Sequence, residues 1–308
     1  MQFLSKTNFD FIAMRKVSWA ISAVLIVLGI VALFMIVFGN ASLSIDFAGG
    51  TEIQGSFANP VEAGTVRSAL ASAGFADATI QAIQGSTPNL FNVRVKSASG
   101  GSESESTVAE RLRDALNKGI PGNSFKLDSV QEVGPTIGAE LRTQAQIAMA
   151  IALVGILVYI WVRFDFRFSV AATVATFHDV LAVLGLMFIL QREMSMLILT
   201  ALMTIAGYTI NDKIIVFDRI REHLRVFRKK SDFVTVVNGA INQTLSRTII
   251  TSLTVVMASL VILFVCGPVV RDFALALLIG VVVGTYSSIF VAAPILVEWE
   301  ARRPKRFK

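Results

Sequence analysis

Six long apolar runs dominate the pattern of hydrophobic and polar positions along this chain. Each is long enough to cross the hydrocarbon core of a bilayer, which takes about 20 residues of helix. The first run exceeds the roughly 7–15 apolar residues of a cleavable signal peptide, so we expect it to be retained. The pattern predicts transmembrane helices near residues 18–38, 144–162, 169–190, 195–217, 248–266 and 272–297.

The sizeable polar segment of the chain, residues 39–135, lies between the first two runs. Apolar and polar residues alternate over 90–96, which is typical of a half-buried strand. Similar patterns predict strands near 51–57, 78–84 and 125–133, and amphipathic helices before Gly74 and Gly119. The resulting β-α-β-β-α-β order is that of a ferredoxin-like fold. We therefore expect an α-helical membrane protein with six transmembrane helices and a small α+β (ferredoxin-like) domain between helices 1 and 2.

Composition agrees with a membrane protein and excludes several kinds of site. Hydrophobic residues make up 54% of the chain and charged residues 16%, whereas soluble domains carry about 25% charged residues. The single cysteine, Cys266, excludes an internal disulfide, and His178 and His223 are the only histidines. A histidine-rich or multi-cysteine metal centre is thus excluded. We expect no cofactor, no metal and no enzymatic activity, because the polar domain carries no catalytic constellation.

The distribution of Lys and Arg predicts the orientation in the membrane. Basic residues cluster in 1–17, in a loop at 218–247 and in a tail at 298–308. Because basic loops stay on the cytoplasmic side, both termini are predicted to be cytoplasmic and segment 39–135 to lie on the opposite side. The net charge is +6, but its distribution matters more than its size. The basic run 219–230 is interpreted as a cytoplasmic topology signal that contacts anionic lipid headgroups, not as a nucleic-acid patch.

Within the fourth run, "AGYTINDKIIVFDRI" places Asp212 inside an otherwise apolar helix. A charged side chain near the bilayer centre costs about 2.5–3.5 kcal/mol, so an acid there indicates a function. Tyr208 and Thr204 lie one and two turns before Asp212 on the same face, and Asn211 lies on the neighbouring face. The sequence therefore predicts a polar ion pathway along this helix.

Arg247 enters the fifth run from the cytoplasmic side, and its long stem predicts a contact with Asp212. Burial favours a neutral carboxyl group and a nearby arginine favours the carboxylate, so an acid placed here can alternate between the two forms. A static ion pair that orders the helices is the alternative. His178 and Asp179 in the third run are a possible secondary part of the pathway or packing residues. Small residues on the third and sixth runs, including Gly284, predict close helix packing.

Ordered motifs over residues 10–297 resemble the SecF family of protein-export membrane proteins, a branch of the SecD/SecF family in the resistance-nodulation-division superfamily. "SIDFAGGTEI" contains Asp46, Gly49 and Gly50, and "EVGPTIGAEL" contains Gly134 and Pro135. The other motifs are "FHDV", "GYTINDKIIVFDRIRE", "QTLSRT" and "GPVVRDFALALLIGVVVGTYSSI". The resemblance implies that the five named residues are structural motif positions.

The resemblance also implies a function. Members act with SecD as accessory subunits of the Sec translocase in the bacterial inner membrane, where the proton motive force assists preprotein translocation. The expected partners are SecD, the SecYEG translocon, YajC, YidC, preproteins and membrane lipid. The functional acid and arginine of the family fall on Asp212 and Arg247. Lys213 stands where the family usually has Thr or Ser, and we expect it to extend toward the cytoplasmic interface on another helix face. The competing prediction is that its proximity to Asp212 favours the charged form of that acid.

Two other classes of function were weighed. Asp179 and Asp212 on adjacent runs are one possible acid pair of an intramembrane aspartyl protease. Their motifs "FHDV" and "TIND" do not resemble the Tyr-Asp and Gly-x-Gly-Asp motifs of that class. Half of a proton-coupled efflux transporter of the same superfamily is the alternative function. The sequence leaves the coupling ion open between H⁺ and Na⁺, because one carboxylate with hydroxyl neighbours suits both.

Overall fold

The computed structural model describes residues 7–38, 42–83, 89–95, 105–226 and 232–302. The chain divides into a sheet unit, Leu43–Ile147 with Met194–Met196, and a helical unit formed by the rest. The helices are α1 (Arg15–Val37), α2 (Ile45–Ala48), α3 (Ala63–Ser72), α4 (Glu105–Gly119), α5 (Pro135–Arg163), α6 (Phe166–Ile189), α7 (Met196–Val226), α8 (Phe233–Val265), α9 (Pro268–Ser287) and α10 (Ala293–Arg302). The strands are β1 (Gly50–Phe57), β2 (Thr79–Ile83), β3 (Leu90–Val95) and β4 (Phe125–Val133).

The sheet unit contains an antiparallel sheet with the strand order β2-β3-β1-β4. Alternate strand residues such as Ile53 and Val93 share a buried cluster with Leu70 of α3 and Leu112 of α4. Strands and helices follow one another in the predicted order along the chain, and the strand boundaries lie within one residue of those predicted. Period-two alternation marks the buried face of β1 and β3, and this explains the agreement for these two strands.

A clamp between β1 and β3 stabilises the polar face of the sheet. Glu52 pairs with Arg94 across the two strands. Two N–H groups of Arg94 donate to Glu52 Oε2, at 3.0 and 2.6 Å, and Asn92 Nδ2 donates to Glu52 Oε1 at 2.7 Å. One carboxylate oxygen thus accepts from a charged guanidinium group and the other from a neutral amide, so both oxygens are bound.

The two glycine motifs singled out in the sequence meet in this unit. Gly49 has a φ of 71°, and a Cβ at this position would lie 2.9 Å from the Cα of Pro135. Neither the backbone conformation nor the space therefore suits a side chain. Pro135 is the first residue of α5, and Gly134 precedes it and accepts a backbone hydrogen bond from Gly138. Gly50 begins β1.

Asp46 anchors the start of α7 within the same unit. Its Oδ2 accepts the backbone N–H of Met196 at 3.0 Å and the hydroxyl of Ser44 at 2.9 Å. Ser44 also donates its backbone N–H to the carbonyl of Met194 at 2.9 Å. The acid therefore acts as a cap that is supplied from a distant part of the chain.

Five helical segments within the described residues are long and apolar enough to cross a membrane. They are Arg15–Val37, Pro135–Arg163, Phe166–Ile189, Phe233–Val265 and Val270–Arg302. The predicted fourth span corresponds to α7, which has 31 residues but is not among them. Asn211, Asp212 and Lys213 interrupt its apolar part.

The small-residue face predicted on the third run packs as expected. Ala171, Ala175 and Ala182 of α6 are completely buried. A Cβ on Gly185 would lie 2.6 Å from the backbone nitrogen of Gly29 in α1. The two helices therefore approach to backbone contact at this point.

α8 begins at Phe233, well before the predicted start of the fifth span at residue 248. Val236, Val237, Ala240 and Ile241 form a buried stripe on this extension, so the chain is helical inside the predicted loop 218–247. The spans were predicted from long apolar runs, and an amphipathic stripe with polar residues on its other face does not form such a run. The prediction therefore placed the start of this helix too late. The predicted basic residues Arg228, Lys229 and Lys230, and the tail from residue 303, lie outside the described residues.

Two asparagines on this extension hold the N-terminal segment. Asn242 accepts the backbone N–H of Phe9 and donates to its carbonyl, both at 2.9 Å. One turn earlier, Asn238 donates to Asp10 at 2.7 Å and accepts the N–H of Ile12 at 3.2 Å. The side-chain amides thus form hydrogen bonds with backbone groups of the segment that precedes α1.

A π turn at Ser288–Ala292 separates α9 from α10. Pro294 lacks the N–H that the carbonyl of Phe290 would accept in an α-helix, and its ring crowds that carbonyl. The helix widens there, and the hydroxyl of Ser18 in α1 donates to the Phe290 carbonyl at 3.3 Å. A side chain therefore replaces one backbone hydrogen bond.

Candidate functional site

Asp212 lies on α7 inside the helical unit, at 1% relative exposure. Among the described residues neither carboxylate oxygen has a hydrogen-bond partner. Burying an ionised carboxylate without a partner is costly, so the surroundings favour the protonated form. An acid in such a position binds a proton readily and requires a nearby cation or donor when it loses one.

Lys213 is completely buried and forms an ion pair with Asp179 of α6. Its Nζ lies 2.6 Å from Asp179 Oδ2 and donates to the carbonyl of Thr209 at 3.3 Å. The prediction that Lys213 extends toward the cytoplasmic interface is wrong. Its expected separation from the Asp212 face was correct, but that other face points at an acid of a neighbouring helix and not at the membrane surface.

Asp179 is also completely buried, and its second oxygen is bound by its neighbour. His178 Nδ1 lies 3.2 Å from Asp179 Oδ1. The other ring nitrogen of His178 has no hydrogen-bond partner among the described residues. The prediction left these two residues open between a secondary pathway and packing, and the structure places them in an ion-pair cluster with Lys213. Within the described ranges no three His, Cys, Asp or Glu side chains form a metal site.

Arg247 is exposed on α8. No ion pair within 4.0 Å joins it to an acid of the described residues. The predicted direct contact between Arg247 and Asp212 is absent from this conformation, and the role of Arg247 stays a prediction.

The hydroxyl and amide residues of the predicted pathway occupy different surroundings. The Tyr208 hydroxyl donates to the carbonyl of Thr251 at 3.1 Å and so joins α7 to α8. Thr204 is exposed and donates to the carbonyl of Thr200 at 2.8 Å. Asn211 is exposed and lines a groove between α5 and α7. Tyr208 therefore lies between Asp212 and the helix that carries Arg247, and the other two residues face outward.

Comparison with known proteins identifies the family. The family model described as "Protein export membrane protein SecD/SecF, C-terminal" matches residues 113–302. The chain is 43% identical to the protein translocase subunit SecF of Thermodesulfovibrio yellowstonii, over 96% of this chain and 96% of that protein. The chain belongs to the SecD/SecF family of protein-export membrane proteins. A second relative in the family, the SecF subunit of Magnetococcus marinus, is 40% identical over 96% of this chain and 93% of its own length.

Solved structures of the family have the same fold. A crystal structure of SecDF, a translocon-associated membrane protein from Thermus, matches 98% of this chain with a TM-score of 0.83 and 36% identity. A structure of SecDF in the "Super-membrane-facing form" matches with a TM-score of 0.68 and 38% identity. This chain spans 40% of the length of each of those SecDF chains. The resemblance of the motifs to this family is thereby confirmed.

Sequence reasoning missed the partner of Lys213. The signal was present as an acid and a cation within two predicted spans, Asp179 and Lys213, because buried charges in membranes are usually paired. The prediction considered Asp179 as a secondary pathway residue, as a packing residue and as one acid of a pair with Asp212, but not as the partner of Lys213. Considering each intramembrane cation as a possible ion-pair partner of each intramembrane acid would have predicted the pair of Lys213 and Asp179.

Proposed function

We propose that this chain is an accessory subunit of the Sec protein translocase, which acts with SecD and uses the proton motive force to assist preprotein translocation across the bacterial inner membrane. The names of the relatives support the translocase role, and the SecDF structures support a partnership with SecD. SecYEG, YajC and YidC are the further partners in this proposal. The role is one of transport and includes no catalytic step on the preprotein.

Asp212 is proposed to bind and release the transported proton. The observation that carries this proposal is a buried carboxylate whose two oxygens have no hydrogen-bond partner among the described residues. The membrane potential supplies about 2.3 kcal/mol per elementary charge per 100 mV. A group that changes its charge inside the bilayer can couple this drive to a rearrangement of its helix, and Asp212 has the required chemistry.

The test is preprotein translocation into inverted membrane vesicles, with and without a proton gradient. Asn keeps the shape of Asp and exchanges no proton, so Asp212→Asn should abolish the stimulation by the gradient while assembly with SecD persists. Asp218→Asn is the matched control, because this acid is on the same helix, is partly exposed and pairs with Arg163 at 2.5 Å. Full stimulation in the Asp212→Asn vesicles would refute the proposed role.

The proposed architecture has six transmembrane helices, with α7 as the sixth member beside the five apolar segments. A ferredoxin-like domain, the predicted segment 39–135, lies in the periplasm, and both termini are cytoplasmic. The β-α-β-β-α-β order supports the domain assignment, and the basic clusters support the orientation. In a Cys266→Ser background, a cysteine introduced at exposed Ser72 should react with a membrane-impermeant thiol reagent in intact spheroplasts. Reaction only after lysis would reverse the orientation.

The alternative, half of an efflux transporter, predicts a different phenotype. Inverted vesicles with this chain would then accumulate small molecules in their lumen under a gradient, and preprotein translocation would be unaffected by its removal. The relatives, which are named as translocase subunits, favour export. Replacing the proton gradient by a sodium gradient in the same vesicles identifies the coupling ion.

A further inference from the structure

One buried cation lies beside two buried acids in the helical unit. Lys213 follows Asp212 directly in α7, and its ammonium group is 2.6 Å from Asp179 of α6. All three residues are at most 1% exposed. In this structure the ammonium binds Asp179, and Asp212 is the buried acid that precedes it on its own helix.

The choice of partner matters because a buried ammonium group stabilises the ionised form of the carboxyl group that it binds. If Lys213 turned to Asp212, the two would form a buried ion pair of the kind that Asp179 now makes. An acid in such a pair keeps its charge and stops exchanging protons.

Several contacts hold Lys213 on the Asp179 side. The carbonyl of Thr209, one turn before Lys213, accepts a hydrogen bond from the same ammonium group. His178 binds the other oxygen of Asp179. Position 284 on α9 is also close, since a Cβ there would lie 3.7 Å from Asp179 Oδ2. Groups of α6 and α7 thus hold the ammonium, and α9 packs next to the pair.

We propose that Asp179 is a positioning residue that retains the ammonium group of Lys213 and thereby leaves Asp212 without a counter-ion, free to exchange its proton. This inference rests on the proposed role of Asp212. It assigns Asp179 and Lys213 no share in carrying the proton. The pair acts only by keeping a cation away from the acid that does.

Two readouts in the same inverted vesicles test the proposal. The first is translocation stimulated by the proton gradient. The second is the labelling of Asp212 by dicyclohexylcarbodiimide, which reacts with protonated carboxyl groups in apolar surroundings; the labelled peptide is quantified per molecule of chain. In Asp179→Asn the released ammonium turns to Asp212, so both labelling and stimulation should be lost. Asp272→Asn is the matched control, because that acid pairs with Arg192 at 3.3 Å and should leave both readouts unchanged.

Second-site variants separate positioning from other roles. Asp179→Asn with Lys213→Met removes the cation as well, so labelling and stimulation should return. Asp179→Asn with Lys213→Arg keeps a cation, and both readouts should stay low. Lys213→Met alone leaves no cation to be retained, so both readouts should persist; this variant also tests the proposal if Asp179→Asn fails to accumulate.

The contrary outcomes are distinct. Stimulation that stays lost in Asp179→Asn with Lys213→Met, at a normal amount of protein, would show that Asp179 itself carries the proton. A smaller amount of folded Asp179→Asn protein, with native labelling of Asp212 per molecule, would show that Asp179 has a structural role only. Loss of labelling and stimulation in Lys213→Met would show that the lysine is part of the pathway. Each of these results overturns the positioning role. Stimulation that survives in Asp212→Asn would instead refute the proposed function.

Discussion

Gly284 of α9 lies directly against Thr209 of α7. A Cβ at position 284 would lie 2.1 Å from Thr209 Cγ2 and 2.8 Å from Thr209 Cβ, well inside the contact distance of two carbon atoms. One turn earlier, a Cβ on Gly280 would lie 2.3 Å from Ile205 Cδ1. The close-packing face predicted on the last span is therefore used against the helix that carries Asp212.

Gly284→Ala should destabilise the helical unit by about 1–3 kcal/mol, because the added methyl group overpacks a rigid contact. The measurement is thermal unfolding of the purified chain in detergent. Gly207→Ala is the matched control, since nothing lies within 4 Å of its Cβ position. Adding Thr209→Ser, which removes Cγ2, should restore part of the loss in Gly284→Ala. Equal unfolding temperatures for Gly284→Ala and Gly207→Ala would contradict the packing argument.

Arg247→Lys should reduce the gradient-stimulated part of translocation without reducing the amount of folded chain. The guanidinium group offers a planar fork of donors with a permanent charge, and an ammonium group offers a single charged point. Arg247 is exposed in this conformation, so neither Arg247→Lys nor Arg247→Met is expected to cause a folding defect. Normal stimulation of translocation by the gradient in Arg247→Met vesicles would show that this residue serves only as a topology signal.

Glu52→Ala should destabilise the sheet unit by about 1–3 kcal/mol, because it leaves the half-buried guanidinium group of Arg94 without the carboxylate that it binds. Hydrogen exchange of the β1 and β3 amides in the full chain measures the change. The control is Arg113→Ala. It breaks an exposed pair with Asp114 and should cost at most about 1 kcal/mol. Similar exchange in both variants would show that the clamp contributes little.

Asp46→Ala should loosen the start of α7 by about 1 kcal/mol, the usual cost of removing a cap. The expected sign is faster hydrogen exchange at Met196, whose N–H Asp46 accepts at 3.0 Å. Asp128→Ala, at an exposed position of β4, serves as the comparison. If Met196 exchanges at the native rate in Asp46→Ala, the acid of this motif serves some purpose other than capping.

The case of Lys213 shows what a sequence determines about a membrane site. Helical geometry separates consecutive side chains by about 100°, so the sequence alone places Lys213 off the Asp212 face. The same geometry does not determine which neighbouring helix that other face meets. Snorkelling and ion pairing both remove the cost of a buried ammonium group, and only the packing of α6 against α7 decides between them.

Elsewhere the agreement follows the strength of the local pattern. Strands β1 and β3 were predictable because buried positions alternate along them, and because glycine and asparagine residues lie at their ends. The start of α8 was not, because its helix continues as an amphipathic stripe where the apolar run ends. The Asp46 cap and the Asn242 contacts join parts of the chain that are 150 and 233 residues apart, so no local pattern predicts them.

Pro294 has a consequence for any comparison of faces along the last span. The wide turn holds one residue more than the α-helical turn that it replaces, and one residue corresponds to about 100° on a helical wheel. A wheel drawn without a break from Pro268 to Arg302 misplaces every position beyond Ala292 by that angle. Leu296 and Val297 lie beyond the π turn and are buried, at 3% and 5% exposure. A relative without this proline would need one residue fewer to bury the same two side chains, so an alignment through this helix should open a single-residue gap there.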